Sequence, residues 1–347
     1  MLEIQDEFDP PFEAIEPAEC RGPILFNSPH SGRVYPRQFL LASRLDLATL
    51  RRSEDSFVDD LIAGVVARGH PLVRAHFPRC YVDVNREPYE LDPRMFDGRL
   101  PSFANTRSMR VAGGLGTVAR GHPLVRAHFP RCYVDVNREP YELDPRMFDG
   151  RLPSFANTRS MRVAGGLGTV ARVVGDAQEI YDQRIAVAEA LRRIDGLYKP
   201  YHRALRRVFM RLHRDFGAAM LIDCHSMPSA TGTRDERPRA DLVLGDRYGT
   251  SCVPVISETI ETTMRGFGYA VSRNKPYAGG FITEHYGNPA AGLHAIQLEI
   301  NRALYMDERR YQRAASFAKL AGEFEILADR LADIPLEELR PYRAAAE

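Results

Sequence analysis

The chain contains residue types that could together hold a catalytic metal ion. His30 and His225 are candidate nitrogen ligands, and the adjacent acids Glu54 and Asp55 are candidate carboxylate ligands. Two histidines and one carboxylate bind Zn²⁺ while leaving a fourth position for water, which is the composition of a hydrolytic zinc site. The residue types therefore predict zinc-dependent hydrolysis, with either acid as the third ligand.

These candidates, together with Glu299 and the dipeptide Asn85-Arg86, follow or finish apolar runs typical of buried strands. The runs cover residues 24–26 before His30, 80–84 before Asn85-Arg86, 218–222 before His225, and 295–300 around Glu299. In open α/β sheets, ligands bind outside the carboxyl ends of the strands. If the sheet is parallel, these side chains converge on one site.

Each residue also has a simpler structural interpretation. A histidine in the turn around His30 could bond the backbone, and Asp55 could be an acid in the first turn of a helix, which the helix dipole favours. Asn85-Arg86 could be a surface turn, and Glu299 could pair with a neighbouring cation. No single motif decides between these interpretations.

Helical stretches alternate with the apolar strands. A helix is predicted from Ser53 as its N-cap, because apolar residues recur at helical spacing through residue 66. Further predictions are strands at 71–74 and 241–244, a helical region over 177–216 interrupted near Gly196 and Pro200, a loop at 229–238, and an amphipathic helix over 308–331. This order predicts an α/β fold with a mainly parallel or mixed sheet flanked by helices.

A long internal repeat interrupts this pattern. Residues 66–117 recur without any change at 118–169, an offset of 52 residues. Repeat arrays usually contain at least three diverged copies, so two identical copies indicate a recent tandem duplication or an assembly artefact. We predict a single domain over 1–347 in which one copy is an insert. Loop closure favours copy one slightly as the functional copy, because it follows its own helix directly.

Composition excludes several functional classes. The chain has 47 Lys and Arg against 46 Asp and Glu, so a formal charge of +1 predicts neither nucleic-acid nor membrane binding. The acidic start MLEIQDEFDP and the absence of a long apolar run predict a cytoplasmic protein. The five cysteines form no CxxC pair, which argues against a cysteine zinc site.

In their order along the chain, several motifs together resemble the N-formylglutamate amidohydrolase family, whose zinc-peptidase-like relatives include carboxypeptidases and aspartoacylases. The motifs are SPHSG at 28–32, SEDSFVD at 53–59, YVDVNREP at 81–88, YKPYH at 198–202, DCHS at 223–226, GGFITEHYG at 279–287 and QLEIN at 297–301. The resemblance covers most of the chain outside the insert. It implies a zinc-carboxypeptidase or phosphorylase-hydrolase-like fold.

The resemblance also implies roles for individual residues. His30, Asp55 and His225 would hold zinc, and Glu299 would be the general base. Asn85-Arg86, or its copy Asn137-Arg138, would bind a substrate carboxylate. The implied reaction converts N-formyl-L-glutamate to formate and L-glutamate, as at the end of a histidine-degradation route.

Some alternatives remain open at this stage. A zinc carboxypeptidase or deacylase for another small acidic acyl-amino acid would use the same ligands, and a non-catalytic binding protein is a further possibility. Glu284 stands where some relatives would carry a basic residue, so Arg33, Arg247 and Arg273 are further candidates for a carboxylate contact. The oligomeric state is not predicted.

Overall fold

The computed structural model of the chain describes residues 10–76, 79–80, 126–127, 131–132, 134–135, 138–150, 152–158, 165–174, 178–229 and 240–341; for 79–80, 126–127 and 131–132 it describes only the backbone. The chain divides into two compact units. Unit one comprises Met1–Glu13, Gly32–Glu54 and Ala75–Arg203, and unit two comprises Ala14–Ser31, Asp55–Arg74 and Ala204–Glu347. The prediction of one domain stays a prediction.

The described strands and helices have the following bounds. The strands are β1 (Phe12–Ile15), β2 (Ile24–Ser28), β3 (Leu72–Ala75), β4 (Arg79–Cys80), β5 (Arg126–Ala127), β6 (Arg131–Cys132), β7 (Phe148–Asp149), β8 (Ile185–Ala186), β9 (Ala219–Met227), β10 (Leu242–Gly245), β11 (Val271–Arg273), β12 (Leu293–Asn301), β13 (Met306–Asp307) and β14 (Gln312–Arg313). The α-helices are α1 (Arg37–Ala42), α2 (Leu47–Arg51), α3 (Val58–Leu61), α4 (Val187–Arg193), α5 (Lys199–Phe216), α6 (Pro254–Gly266), α7 (Phe281–Tyr286), α8 (Phe317–Ala332) and α9 (Leu336–Leu339).

Unit two is built around neighbouring strands in the order β3-β2-β9-β12-β10-β11. Strands β3, β2, β9 and β12 run parallel, whereas β10 is antiparallel to β12 and parallel to β11. Helices accompany this mixed sheet, so the predicted α/β class is confirmed. Because β2, β9 and β12 are parallel, their carboxyl ends lie at the same edge of the sheet.

The two faces of this sheet differ in polarity because side chains alternate along each strand. On β9, Asp223 and His225 point to one face, while Ile222 and Cys224 point to the other. The apolar face forms a buried core with residues of α3, α6 and α8, among them Ile256, Ile260, Phe324 and Leu327. Burial of this face stabilises the unit and leaves the polar face for the candidate ligands.

Three predicted helix boundaries are wrong. The first helix does not begin at Ser53, whose hydroxyl bonds the Leu50 carbonyl at the end of α2. α3 starts instead after Phe57, which has a left-handed φ of 65°. The tail helix begins at Phe317 rather than 308, because residues 306–313 form the hairpin of β13 and β14. The first described helix within the predicted 177–216 region begins at Val187.

The interruption predicted in that region is confirmed in part. A π-helical segment, Ile194–Tyr198, contains Gly196 and joins α4 to α5. Pro200 lies in the first turn of α5 and does not break the helix. The helix is continuous through this point, and the π-helical segment directly before Lys199 already interrupts the α-helical bonding pattern where a proline would otherwise break it. Of the loop predicted at 229–238, all but Ser229 lies outside the described residues.

In unit one the two copies of the repeat pair with each other. Arg79 of copy one is opposite Cys132 of copy two, and Cys80 is opposite Arg131, so identical dipeptides form a short antiparallel ladder. The predicted strand after the helix is present as β3 and belongs to copy one.

In the part of the chain that the structure describes, we find no helix with the length and apolar character needed to cross a membrane.

Candidate metal centre

His30, Asp55 and His225 meet at one point of unit two. The His225 Nδ1 atom lies 3.0 Å from His30 Nδ1 and 3.1 Å from Asp55 Oδ2, and His30 Nδ1 lies 3.2 Å from the same carboxylate oxygen. All three side chains are buried. This triangle is the one group of potential metal ligands found among the described residues, and it contains the three residues predicted from the sequence.

Backbone and hydroxyl contacts fix the two loops that carry His30 and Asp55. The Asp55 amide donates to the His30 carbonyl at 3.0 Å. The Ser31 hydroxyl accepts from the Asp59 amide at 3.1 Å and also bonds the Ser28 hydroxyl. The loop that carries His30 is thus bonded directly to the segment that begins α3. His30 and Asp55 are therefore positioned by these local contacts as well as by the sheet.

The structure also separates Asp55 from its neighbour Glu54. In unit one, the Glu54 carboxylate accepts a hydrogen bond from the Tyr35 hydroxyl at 2.6 Å and pairs with Arg51 Nε at 3.3 Å. Adjacent residues in an irregular segment project in different directions, and here Asp55 projects into the histidine pair. The geometry therefore favours Asp55 as the carboxylate ligand.

A carboxylate behind His225 orients its ring. The His225 Nε2 atom lies 2.8 Å from Asp223 Oδ2, and the other Asp223 oxygen accepts from the Asn27 amide at 2.7 Å. A carboxylate accepts only, so His225 carries a proton on Nε2. This arrangement keeps His225 Nδ1 directed at His30 and Asp55, as is usual for histidines that bind metal.

The second oxygen of Asp55 is held from another side. Asp55 Oδ1 accepts from the Ser226 hydroxyl at 3.0 Å and lies 3.6 Å from Arg302 Nη2. The Arg302 Nε atom also donates to Ser226 Oγ at 3.0 Å. These contacts hold Asp55 Oδ1, so that Oδ2 faces the two histidines.

Glu299 lies on the strand next to His225. The two residues are paired in register between the parallel strands β12 and β9, so their side chains share the polar face. Gln297 Nε2 donates to Glu299 Oε1 at 2.7 Å, and Glu299 is 5% exposed. The predicted general base is thus close to the triangle, with one oxygen bonded to Gln297.

The protein surrounds the imidazoles with negative charge. Burial lowers the pKa of His225, but Asp223, Asp55 and Glu299 outweigh burial and raise it to about 10. Three carboxylates around two histidines thus favour a positive charge at this position. A cation bound between His30, Asp55 and His225 would be stabilised by the same carboxylates.

The donor set fits a zinc ion. Ligands held about 2.0–2.1 Å from a tetrahedral zinc would be separated by about 3.3 Å. The observed distances of 3.0, 3.1 and 3.2 Å are close to that value. Nitrogen and carboxylate donors with three protein ligands are typical of catalytic rather than structural zinc.

Of the predicted substrate-binding residues, only Arg138 is described. Its side chain is fully buried in unit one, and its Nε atom donates to Asp135 Oδ2 at 3.0 Å. Asn85, Arg86 and Asn137 lie outside the described residues. The role of the Asn-Arg pair stays a prediction.

Two of the alternative arginines have acidic partners within unit two. Arg273 pairs with Glu261 at 2.6 Å and also bonds the Ser257 hydroxyl. Arg247 pairs with Glu284 at 3.1 Å. Glu284 therefore neutralises a nearby arginine.

Sequence analysis assigned no role to several residues that support the triangle. Asp223 stands two positions before His225, and this spacing on a strand could have indicated a shared face. Asn27, Ser226 and Arg302 are joined to the ligands only by contacts between distant parts of the chain. No local signal identified them.

Most of the chain matches a known protein family. The family model described as N-formylglutamate amidohydrolase matches residues 22–122 and 111–306. The chain belongs to the N-formylglutamate amidohydrolase family. The two matched stretches overlap within the duplicated region, as expected when a family pattern meets a repeated segment.

Individual members of the N-formylglutamate amidohydrolase family agree with this assignment. A protein named N-formylglutamate deformylase from Pseudomonas putida is 31% identical over 191 residues, and one of the same name from Pseudomonas aeruginosa is 32% identical over 192 residues. Each match covers 54% of this chain, and the chain spans 66% of the length of these relatives, slightly under two thirds.

Solved structures extend the likeness over nearly the whole chain. The crystal structure of N-formylglutamate amidohydrolase from Ralstonia eutropha JMP134 superposes with a TM-score of 0.72 at 31% identity, covering 93% of this chain and 97% of that one. A gene product of Agrobacterium tumefaciens shares the fold at 15% identity, with a TM-score of 0.53.

Proposed function

We propose that the chain is a zinc-dependent amidohydrolase that cleaves the formamide bond of N-formyl-L-glutamate to formate and L-glutamate. The observation that carries the proposal is the buried triangle of His30, Asp55 and His225 beside Glu299, in a member of this family. The names of the two Pseudomonas relatives and of the Ralstonia structure support the same substrate. The corresponding expectation is a cytoplasmic enzyme of histidine degradation.

His30, Asp55 and His225 would hold the zinc ion. Bound zinc would supply a Lewis acid for the formyl carbonyl and would lower the pKa of a water molecule. Asp223 keeps the His225 ring directed at the ion, and Arg302 with Ser226 does the same for the Asp55 carboxylate.

Glu299 would act as the base and then as the acid. Its carboxylate would accept the proton of the attacking water and deliver it to the nitrogen of the departing glutamate amine. One Glu299 oxygen accepts a hydrogen bond from Gln297. Proton delivery avoids the expulsion of an unstable amide anion.

An arginine of the repeat would bind a substrate carboxylate. A planar guanidinium can make two parallel charge-assisted bonds to a carboxylate, which selects acyl-amino acids over simple amides. Arg86 and its copy Arg138 are the candidates.

The test is hydrolysis of N-formyl-L-glutamate, N-acetyl-L-glutamate and N-acetyl-L-aspartate by zinc-loaded and chelator-treated protein. We expect kcat/KM for the formyl substrate to exceed the others by about tenfold or more, and we expect chelation to abolish turnover. A preference for an acetyl substrate would indicate a deacylase instead. Binding without hydrolysis by zinc-loaded protein would indicate a non-catalytic binding protein.

A further inference from the structure

Gln297 links Glu299 to the turn that precedes α7. Its side-chain Nε2 donates to Glu299 Oε1 at 2.7 Å, and its Oε1 accepts from the Gly280 backbone amide at 2.7 Å. Both Gln297 and Glu299 are 5% exposed. Because the two residues are separated by one position on β12, they share the polar face of the sheet.

The Gly280 bond determines which way the Gln297 amide points. A backbone N–H can only donate, so the atom facing Gly280 must be the Gln297 oxygen. The amide nitrogen must then face Glu299, to which it donates. The amide therefore presents a fixed donor to the carboxylate and cannot rotate without losing both bonds.

The turn itself has little freedom to move. Gly279 has a φ of +119°, and a Cβ atom there would lie 2.5 Å from Thr283 Oγ1. A Cβ on Gly245, at the end of β10, would lie 2.6 Å from the Gly279 nitrogen. The turn thus packs against the strand end through two glycines, which holds the Gly280 amide in line with Gln297.

We propose that Gln297 is a positioning residue that fixes the orientation of Glu299 during hydrolysis. This inference rests on the proposed function, in which Glu299 transfers the proton. The Gln297 bond holds Oε1 of the carboxylate in one position. Without this bond the carboxylate loses a contact that fixes its orientation, and a smaller fraction of molecules holds it in the productive orientation.

Two substitutions of Gln297 remove its hydrogen bonds to Gly280 and Glu299 in different combinations. Gln297→Met keeps the length and the unbranched shape of the side chain but removes both hydrogen bonds. Gln297→Glu keeps an acceptor for Gly280 but removes the donor to Glu299 and adds a negative charge. Gln312→Glu makes the same chemical change at an exposed position of β14 and serves as the matched control.

We expect both Gln297 variants to lose about tenfold or more in kcat, with KM and zinc content near those of the parent. Gln312→Glu should match the parent in all three measurements. Circular dichroism and zinc content identify folded variants, and Gln297→Glu provides the test if Gln297→Met fails to fold. A folded variant with a kcat within about twofold of the parent would overturn the proposal.

A double-mutant cycle separates this proposal from the proposed function. If Gln297 acts through Glu299, then Gln297→Met should change kcat by less than about twofold in a Glu299→Gln background. Independent, multiplicative effects of the two substitutions would show that Gln297 acts on something other than Glu299. If the parent does not hydrolyse N-formyl-L-glutamate, or if Glu299→Gln alone is fully active, the proposed function is wrong, whatever the Gln297 variants show.

Discussion

The ligand atoms of the candidate centre are two imidazole nitrogens and a single carboxylate oxygen. His225 Nδ1 and His30 Nδ1 lie 3.0 Å apart, and both are within 3.2 Å of Asp55 Oδ2. Such convergence of buried ligand atoms is unfavourable without a proton or a cation between them. The individual residues therefore support predictions about metal content.

Replacement of His225 by alanine should remove the metal. The parent should bind about one zinc ion per chain, and His225→Ala should lose both zinc and turnover because two protein ligands hold zinc poorly. Metal analysis after dialysis measures the stoichiometry. His213→Ala, which removes an imidazole bonded to the Ala291 carbonyl, is the control and should retain zinc. Full zinc content in His225→Ala would disprove the ligand assignment.

Replacement of Glu299 by glutamine should separate metal binding from proton transfer. The amide keeps the size of the side chain and can still bond Gln297, but it cannot accept the proton. We expect zinc to remain while kcat falls by roughly 10² or more. Steady-state kinetics beside metal analysis checks this. A near-normal kcat would exclude Glu299 as the base.

At the scale of elements, strand alternation separates the core from the site. On β2, β9 and β12, one set of residues packs with the helices, and the other set carries Asn27, Asp223, His225 and Glu299. The interior beside β2 also contains a histidine, His70, whose titration affects stability.

His70 precedes β3 and packs against Phe26 in the interior. Burial and, to a lesser extent, Arg21 and Arg68 lower its pKa to about 4 from the usual 6.5. Between those values the unfolded chain takes up a proton that the folded chain does not. Stability contributed by neutral His70 is thus complete above the unfolded pKa and is lost as the pH falls toward the folded pKa.

His70→Leu should therefore reduce the acid sensitivity of the fold. The leucine keeps apolar packing but cannot bind a proton, so unfolding midpoints at about pH 7.5 and about pH 5 should differ less than in the parent. Thermal or denaturant melts at both pH values provide the measurement. An unchanged pH dependence in His70→Leu would contradict this account.

At the scale of the whole molecule, the repeat raises the question of which copy supplies the substrate arginine. Loop closure favours Arg86 slightly. The Arg138 side chain is fully buried in unit one and is paired with Asp135. Arginine is rarely buried unless it is paired, so this pair holds Arg138 within the packed interior of unit one. We therefore expect copy one, through Arg86, to supply the substrate contact.

Substitution of both arginines tests this expectation. Arg86→Ala should raise KM about tenfold or more, and Arg86→Lys should also raise it because lysine lacks the bidentate fork. Arg138→Ala should change KM by less than about twofold. Melting curves control for the loss of the Asp135 pair. The reverse pattern would assign the function to copy two, and no effect from either substitution would remove the arginine from substrate binding.

Deletion of one copy tests whether the repeat is an insert. Removing 52 of the 347 residues leaves 295, and the product is the same whichever copy is removed because the copies are identical. We expect the shortened chain to keep zinc and turnover and to unfold at an equal or higher midpoint, since a long insert adds a loop-closure cost. Failure of the 295-residue chain to fold would show that both copies are required.

Much of the fold could be predicted because it depends on local patterns. The apolar runs gave the positions of β2, β9, β10 and β12, since alternation and burial are encoded within each segment. Helix starts were less predictable. Ser53 has the composition of an N-cap, but its hydroxyl bonds the Leu50 carbonyl, and α3 starts only after Phe57.

The sequence by itself determined the chemical types, the order along the chain and the strand-end positions of His30, His225 and Glu299. Tertiary structure decided that Asp55 rather than Glu54 enters the centre, and that Asp223, Arg302 and Ser226 support the ligands. It also paired Arg138 with Asp135 in the interior of unit one, a contact that the sequence did not indicate. The physical reason is that side-chain type and strand period are local properties, whereas side-chain direction and hydrogen-bond partners depend on residues brought together only by folding.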